Sequence, residues 1–473
     1  MNRKAFVTTA LALALAAGAQ AQSSNLALGT QALASNTTGG SNTALGVSAL
    51  QHNTTGNQNN ALGTYALISN ISGNLNTALG ANALYHNTLG HENTAVGTNA
   101  LNWNTTGGHN SALGTYALLN NTTGDFNTAI GSGSLNDNTT GSWNTALGGA
   151  ALMHNATGVY NTAIGINALT SNTTGGYNAA TGSNALISNN TGGFNTAMGA
   201  DALRNNQTGN WNTAIGKSAL EYNTGSVNIA IGTWALAKNI DATENIAVGN
   251  DGLAVSTTGS QNTVVGHYSL RNSTTASRNV ALGVRALEAN VTASDNIALG
   301  YEAGRNLTGS NNIAIGNVGA GGEADTIRIG SSQTRAFLAG VRGRTTGGAA
   351  IPVVIDANGQ LGTVSSSIRF KQDVNDMGDR TSRLFDLRPV TFRYKSQPED
   401  GEHFGLIAEE VEKVLPELVV KDKEGQVETV VYHELAPMLL NELQKQKREL
   451  QAAQAELAAL KRQLEQVLAG SRK

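Results

Sequence analysis

The chain contains no cysteine, and its five prolines all lie beyond residue 351. Without cysteine no disulfide can staple the fold, so stability must come from burial, backbone ladders or association of copies. Charge is scarce and uneven. Only 18 charged residues fall between Gln22 and Ala320, against 43 from Gly321 to Lys473. With the prolines, this places a compositional boundary near residue 320. Net charge is −3 with no basic block, so there is no electrostatic footprint for nucleic acid or for an anionic membrane surface. No His/Cys constellation has metal-ligand spacing, and no metal or cofactor is expected. Long hydrophobic runs are missing too. The longest, Ala5–Ala17, is too short for a bilayer core of about 30 Å.

That run has another reading. Arg3 and Lys4 precede it, and Ala19-Gln20-Ala21 follows as a small-x-small site. This is the pattern of a cleaved export signal over residues 1–21, which makes Gln22 the mature start. An uncleaved membrane anchor is the alternative. The expectation is an exported protein with no membrane span after processing, placed in the periplasm, on the surface or outside the cell.

What the chain does have is a repeat. Residues 25–316 repeat one phrase: Asn-Thr-Ala-Leu-Gly, two variable residues, Ala-Leu, and a turn built on Asn-Thr-Thr-Gly. Its closing glycines fall 17 residues apart from Gly29 to Gly216. The steps Gly216–Gly232 and Gly300–Gly316 are 16. A unit this short cannot bury an apolar face alone, so it must stack on its neighbours. The aliphatic fourth position favours a strand, and Asn-Thr-Thr-Gly favours a turn. The expected coil is strand, bend, short strand and turn. Eighteen coils at about 4.8 Å would make a rod of roughly 85 Å.

Adjacent strand residues face opposite ways, yet Ala44 and Leu45 are both apolar, and the pair recurs. One coil thickness covers one of those faces. The other calls for another chain, so a homo-oligomer packed along the rod is expected. A lone solenoid with an internal double layer is the alternative. The asparagines opening each phrase suit a stacked amide ladder, and sugar-binding or ice-matching roles for Asn and Thr are weaker. The aromatics Trp103, Phe126, Trp143, Tyr160, Tyr177, Phe194 and Trp211 vary from coil to coil, and the expectation is that they build no regular face. Ala303-Gly304 breaks the phrase, as a terminal cap would.

Runs such as Asn127-Thr128-Ala129-Ile130-Gly131 and Asn228-Ile229-Ala230-Ile231-Gly232 resemble the head repeats of trimeric autotransporter adhesins. That resemblance implies a left-handed parallel β-roll in a trimer. Those adhesins end in a membrane β-barrel, whereas this sequence ends in a charged helix and Gly470-Ser471-Arg472-Lys473.

Residues 321–364 read as short strands and turns: Thr326–Gly330, Ala336–Gly340 and Val353–Asp356, with Asp356-Ala357-Asn358-Gly359 a hairpin signal. From Ser365 the text changes. Ser365–Val374, Leu384–Tyr394, Phe404–Val411 and Leu415–Val419 occur in an order that resembles the self-cleaving intramolecular chaperone of phage endosialidase tailspikes, peptidase family S seventy-four. The resemblance implies a domain that trimerises, drives folding of the β-structure before it, and cuts itself off with a serine–lysine pair. Carried onto this sequence, Ser366 is the nucleophile, Lys371 its general base, and Ser366–Ser367 the scissile bond. The family usually has Asp where Ser367 stands, and the run Ser365-Ser366-Ser367 leaves the register open by one. A serine needs a base, and a lysine serves only when neutral, through burial or a neighbouring cation. His403 and His433 are alternative bases. Glu409, Glu410 and Glu412 read as a solvated helix face.

The last helix spans about 434–468. Leu443, Leu450, Leu457 and Leu464 are seven apart, with Leu439, Ala453, Leu460 and Val467 on the same seam and Gln446 its polar member. This is a coiled-coil heptad of roughly 50 Å. Packing on its own domain is the alternative.

The expected fold is mainly β: a parallel β-solenoid of ~17-residue repeats (22–320), trimeric, then a β-rich transition (321–364), a small α+β chaperone domain (365–433) and the coiled coil (434–468). The expected function is an exported trimeric fibre whose chaperone domain releases itself, with itself as partner and a surface ligand unidentified. The alternatives are an uncleaved fibre with a permanent cap, and an enzyme acting on surface glycans, which lacks a repeated carboxylate pair.

Overall fold

The computed structural model describes residues 24–339, 341, 348, 350–356, 359–422 and 424–470. The expected export signal and the turn residues Ala357 and Asn358 lie outside these. The chain divides into two compact units between Ala336 and Phe337.

The first unit is a parallel β-solenoid. Each coil contributes one three-residue strand, from β1 (Leu26–Leu28) through β18 (Ile313–Ile315), and β19 (Ile327–Ile329) adds one more beyond the last phrase. Every strand pairs in parallel with the next, and alanine sits on alanine: Ala44 on Ala61, Ala61 on Ala78. From β2 to β18 the middle strand residue, alanine everywhere but Val264, points inward and is buried. The flanking Thr and Leu, Ile or Val point outward, as at Leu79 and Leu147. Two opposed apolar faces are therefore present, and the coil covers only one.

The expected second strand is absent. After the strand the coil runs through turns, because three rows of residues in each coil adopt left-handed backbone. The row of Leu50, Leu67 and Leu84 has φ between 50° and 55° throughout. A left-handed residue cannot continue a strand, and it penalises β-branching. That explains why this row is leucine from Leu33 to Leu287 while the strand row varies among Leu, Ile, Val, Met and Thr. These leucines are the largest fully buried side chains, and with the alanines before them they fill the solenoid interior.

Two asparagine ladders line the corners. In the first, the Asn144 backbone N–H and side-chain amide donate to Asn127 Oδ1 at 3.0 and 3.1 Å, and the amide also donates to the Gly158 carbonyl at 2.8 Å. This ladder, expected from the phrase, runs to Asn312, whose Oδ1 accepts from Thr326 N. The second comes from the asparagines read as turn residues: Asn155 Nδ2 donates to Asn138 Oδ1 at 2.9 Å and to Gly158 O at 3.0 Å. It gives way at Ser256 and Ser273, whose buried hydroxyls have no partner. The amides thus satisfy backbone carbonyls that stacking removes from water.

At the C-terminal end the pattern break has a packing reason. Gly304 takes the place of the core leucine with φ 61°. Leu307, almost fully buried, folds over the vacated space, and a Cβ on Gly304 would lie 2.8 Å from Leu287 Cδ2 and 3.1 Å from Leu307 Cδ1. The cap expected at Ala303-Gly304 is this substitution.

The second unit has little interior. β20 (Val354–Ile355) and β21 (Leu361–Gly362) form a hairpin, β22 (Val390–Phe392) pairs antiparallel with β23 (His403–Gly405), and β24 (Val419–Lys421) pairs with β25 (Val427–Val430). No strand forms at Ala336–Ala339, where the expected one would lie, and Gly340 is outside the described residues. Helix α1 (Ala408–Val414) packs on β25, and the long helix α2 (Tyr432–Gly470) closes the chain. Val411, Leu415, Leu418 and Val430 form the buried core, edged by Leu384, Leu387 and Met438.

Candidate functional site

Ser366 and Lys371 flank a single 3₁₀ turn, Ile368–Phe370. Ser367 begins it: its Oγ accepts from the Arg369 backbone N–H at 3.4 Å and from Arg369 Nε at 3.2 Å. The Lys371 backbone N–H closes the turn on the Ile368 carbonyl at 3.2 Å. Both side chains are exposed in the single chain, and no hydrogen bond joins Ser366 Oγ to Lys371 Nζ. Around them Ile368, Phe370 and Val374 each leave about two thirds or more of their surface in water.

The other candidates are placed as follows. His403 lies on β23 with its ring 5.7 Å from Phe392 and 5.1 Å from Tyr394, and its Nε2 is buried without a partner. His433 is exposed on α2. Glu410 holds Arg388 through two contacts of 2.5 and 3.1 Å, and Glu412 pairs with Lys421 at 2.8 Å. The Arg388 guanidinium keeps the Glu410 carboxyl below the usual carboxylate range. Two of the three α1 glutamates are thus held in ion pairs.

One polar cluster had no sequence signal. Thr381, in the 3₁₀ segment Gly378–Asp386, is buried against α2. Its hydroxyl bonds Glu442 Oε1 at 2.5 Å, and Asn441 Nδ2 donates to it at 2.6 Å and to the Gly378 carbonyl at 2.9 Å. Lys445 Nζ bridges Glu442 at 2.8 Å and Asp379 at 3.1 Å. This network ties the segment after Lys371 to the long helix. Its partners are about sixty residues apart, so no local spacing announces it.

The rod surface corrects an expectation. The varying aromatics do form a regular row. His109, Phe126, Trp143, Tyr160, Tyr177, Phe194 and Trp211 occupy one left-handed position in seven successive coils. Their rings stack with centroids 4.1–6.0 Å apart and planes within 17°. The chemistry varies from coil to coil, but stacking needs only a flat ring at each step. Trp103 lies outside this row, stacked on His86 at 3.9 Å.

No curated protein and no solved structure matches the chain. No helix among the described residues is long and apolar enough to cross a membrane. Residues 366–420, which open on Ser366 and end within β24, match the family model of the chaperone of endosialidase, so a long parallel β-solenoid here precedes a segment of that chaperone type.

Proposed function

We propose that the protein is an exported, adhesin-like trimeric fibre, in which residues 365–433 direct trimer folding and then release themselves from the rod through Ser366 and Lys371. The observation that carries this reading is the apolar surface one chain leaves in water. Phe337, Leu338, Phe370 and Phe404 are between 72% and 88% exposed beside a core of four buried residues. A unit with so little interior does not hold itself together. Leu443, Leu450, Leu457 and Leu464 form an exposed seam on α2, as the heptad of a coiled coil would before its partners arrive. Three copies would cover both. Export rests on the sequence pattern of residues 1–21.

Assembly also supports the chemistry. Lys371 can act as a base only when neutral, and burial under neighbouring copies would supply that state. It would accept the Ser366 hydroxyl proton as Oγ adds to the scissile carbonyl. The amide nitrogen leaves with the proton as a new N-terminus, and water then hydrolyses the ester. If the bond is Ser366–Ser367, the carbonyl is the serine's own, and attack within one residue would close a four-membered ring. The attacking Oγ would then come from a neighbouring copy, which makes cleavage report a completed trimer.

Mass spectrometry of the full chain, with N-terminal sequencing of any C-terminal fragment, tests this. The expected fragment begins at Ser367, and Ser366→Ala and Lys371→Ala are each expected to abolish it. A Lys371→Ala chain that still yields two fragments would refute the dyad. An intact wild-type chain ending at Lys473 would instead favour a permanent trimeric cap, a reading consistent with the absence of a Ser366–Lys371 hydrogen bond in one chain.

A further inference from the structure

Three rows of side chains face outward along each strand side of the rod. They are the left-handed residue before the ladder asparagine, the first strand residue and the third, as in Phe126, Thr128 and Ile130. The third row is aliphatic almost throughout. The other two rows trade places. From Phe126 to Trp211 the first row is aromatic, and the second holds nothing larger than threonine (Thr128, Thr145, Thr213). After Val227 the first row turns polar or charged (Glu244, Arg278, Asp295), and from Ile229 the second becomes chiefly isoleucine or valine (Ile229, Ile246, Val280, Ile297). The apolar stripe does not end at that coil. It moves sideways by two residues, or about 7 Å at strand spacing, at the coil that is one residue short.

The aromatic part is a ridge with its faces used up. Stacking at 2–17° lays the faces of successive rings on one another, most loosely between Trp143 and Tyr160 at 6.0 Å. What remains exposed, 41–59% of each residue, is largest at Trp211, the last ring of the row. A sugar that stacks on an aromatic face therefore finds a free face only at the two ends of the row. A partner that covers the ridge must also follow the stripe where it steps across, and it must repeat with the coil. A second, parallel copy of this chain meets all three conditions, because its own ridge, step and repeat lie in the same register.

We propose that the ridge from Phe126 to Trp211 is the central part of the rod's self-association surface and is covered by a second copy of the chain, continuous with the Ile/Val zone of the C-terminal coils. This rests on the trimeric reading above. Ring edges of one ridge then pack against its neighbour, where each buried aromatic pair adds to area burial. The ion pairs that replace the rings toward the C-terminus, such as Arg278–Asp295 at 2.7 Å, occupy the same row at the rim of the Ile/Val zone.

The test uses the full chain carrying Trp103→Phe and Trp234→Phe, which leaves Trp143 and Trp211 as the only tryptophans. Sedimentation mass and acrylamide quenching are measured on the same sample. A trimeric mass with quenching at least about threefold weaker than for a solvent-exposed indole is expected. A trimer whose indoles quench as fully as half-exposed side chains would overturn the ridge proposal while leaving the trimer standing. A monomer would overturn both. As a second arm, Tyr160→Gln, Tyr177→Gln and Phe194→Gln are combined, since Gln58 and Gln261 already occupy this row. Dissociation of the rod at a concentration at least about tenfold higher is expected, and an unchanged dissociation curve would overturn the proposal.

Discussion

Glycine has two different jobs in each coil, and only one demands glycine. The row of Gly148 has φ near +140°, and a Cβ there would sit 2.4 Å from the Gly165 carbonyl oxygen. Both the backbone region and the approach exclude a side chain. The row of Gly158 has ordinary φ, and although a Cβ there would lie 2.3 Å from Asn155 Oδ1 and 2.4 Å from the Gly175 carbonyl oxygen, alanine already stands in the row at Ala242, Ala276 and Ala293. Gly148→Ala is therefore expected to destabilise the rod by roughly 2–4 kcal/mol, and Gly158→Ala by less, since its cost is the close approach alone. Denaturant midpoints of the two variants compare them directly, and equal losses would contradict the distinction. The first row was legible in the sequence as a glycine series spaced 17 residues apart, with two steps of 16. Its reason, carbonyl stacked on Cα from coil to coil, was not.

At the level of elements, the attachment of the Gly378–Asp386 segment to α2 depends on a carboxylate. The Lys445 hydrogen bond first, and then the Thr381 hydroxyl, hold Glu442 below its ordinary value of 4.5. A depressed carboxyl adds stability above the unfolded value and loses it as pH falls through the lower folded one. Amide exchange at residues 378–386 is therefore expected to speed up on acidification below about pH 4.5. Glu442→Gln should flatten that acid limb. If the variant and the parent respond alike, the anchor lies elsewhere. The long helix of this unit followed from its heptad pattern. The anchor did not, because Thr381 and Glu442 are brought together by tertiary packing alone.

For the whole molecule, the sequence and the fold agree on one point: a single chain leaves too much apolar surface uncovered. The proposed trimer addresses the outward strand rows, the transition segment around Phe337 and the α2 seam together. Leu450→Asp with Leu457→Asp puts charge at two seam positions of α2. The full chain carrying both is expected to lose its trimeric mass at micromolar concentration and, on the proposed mechanism, its cleavage. Light scattering and denaturing gels read the two outcomes on one preparation. A trimer that persists and cleaves normally would place assembly outside the helix.

The sequence by itself determined the solenoid, its 17-residue coil, its two apolar strand faces, its first asparagine ladder and the chaperone segment. Each is written in local spacing repeated until chance is excluded, or in several motifs kept in order. Tertiary structure alone decided three other things. It replaced the second strand with left-handed turns, because backbone handedness depends on what the neighbouring coil permits. It made the turn asparagines a second ladder. It also turned an irregular scatter of aromatics into one stacked row, since rings 17 residues apart become neighbours only when the coils are laid on one another.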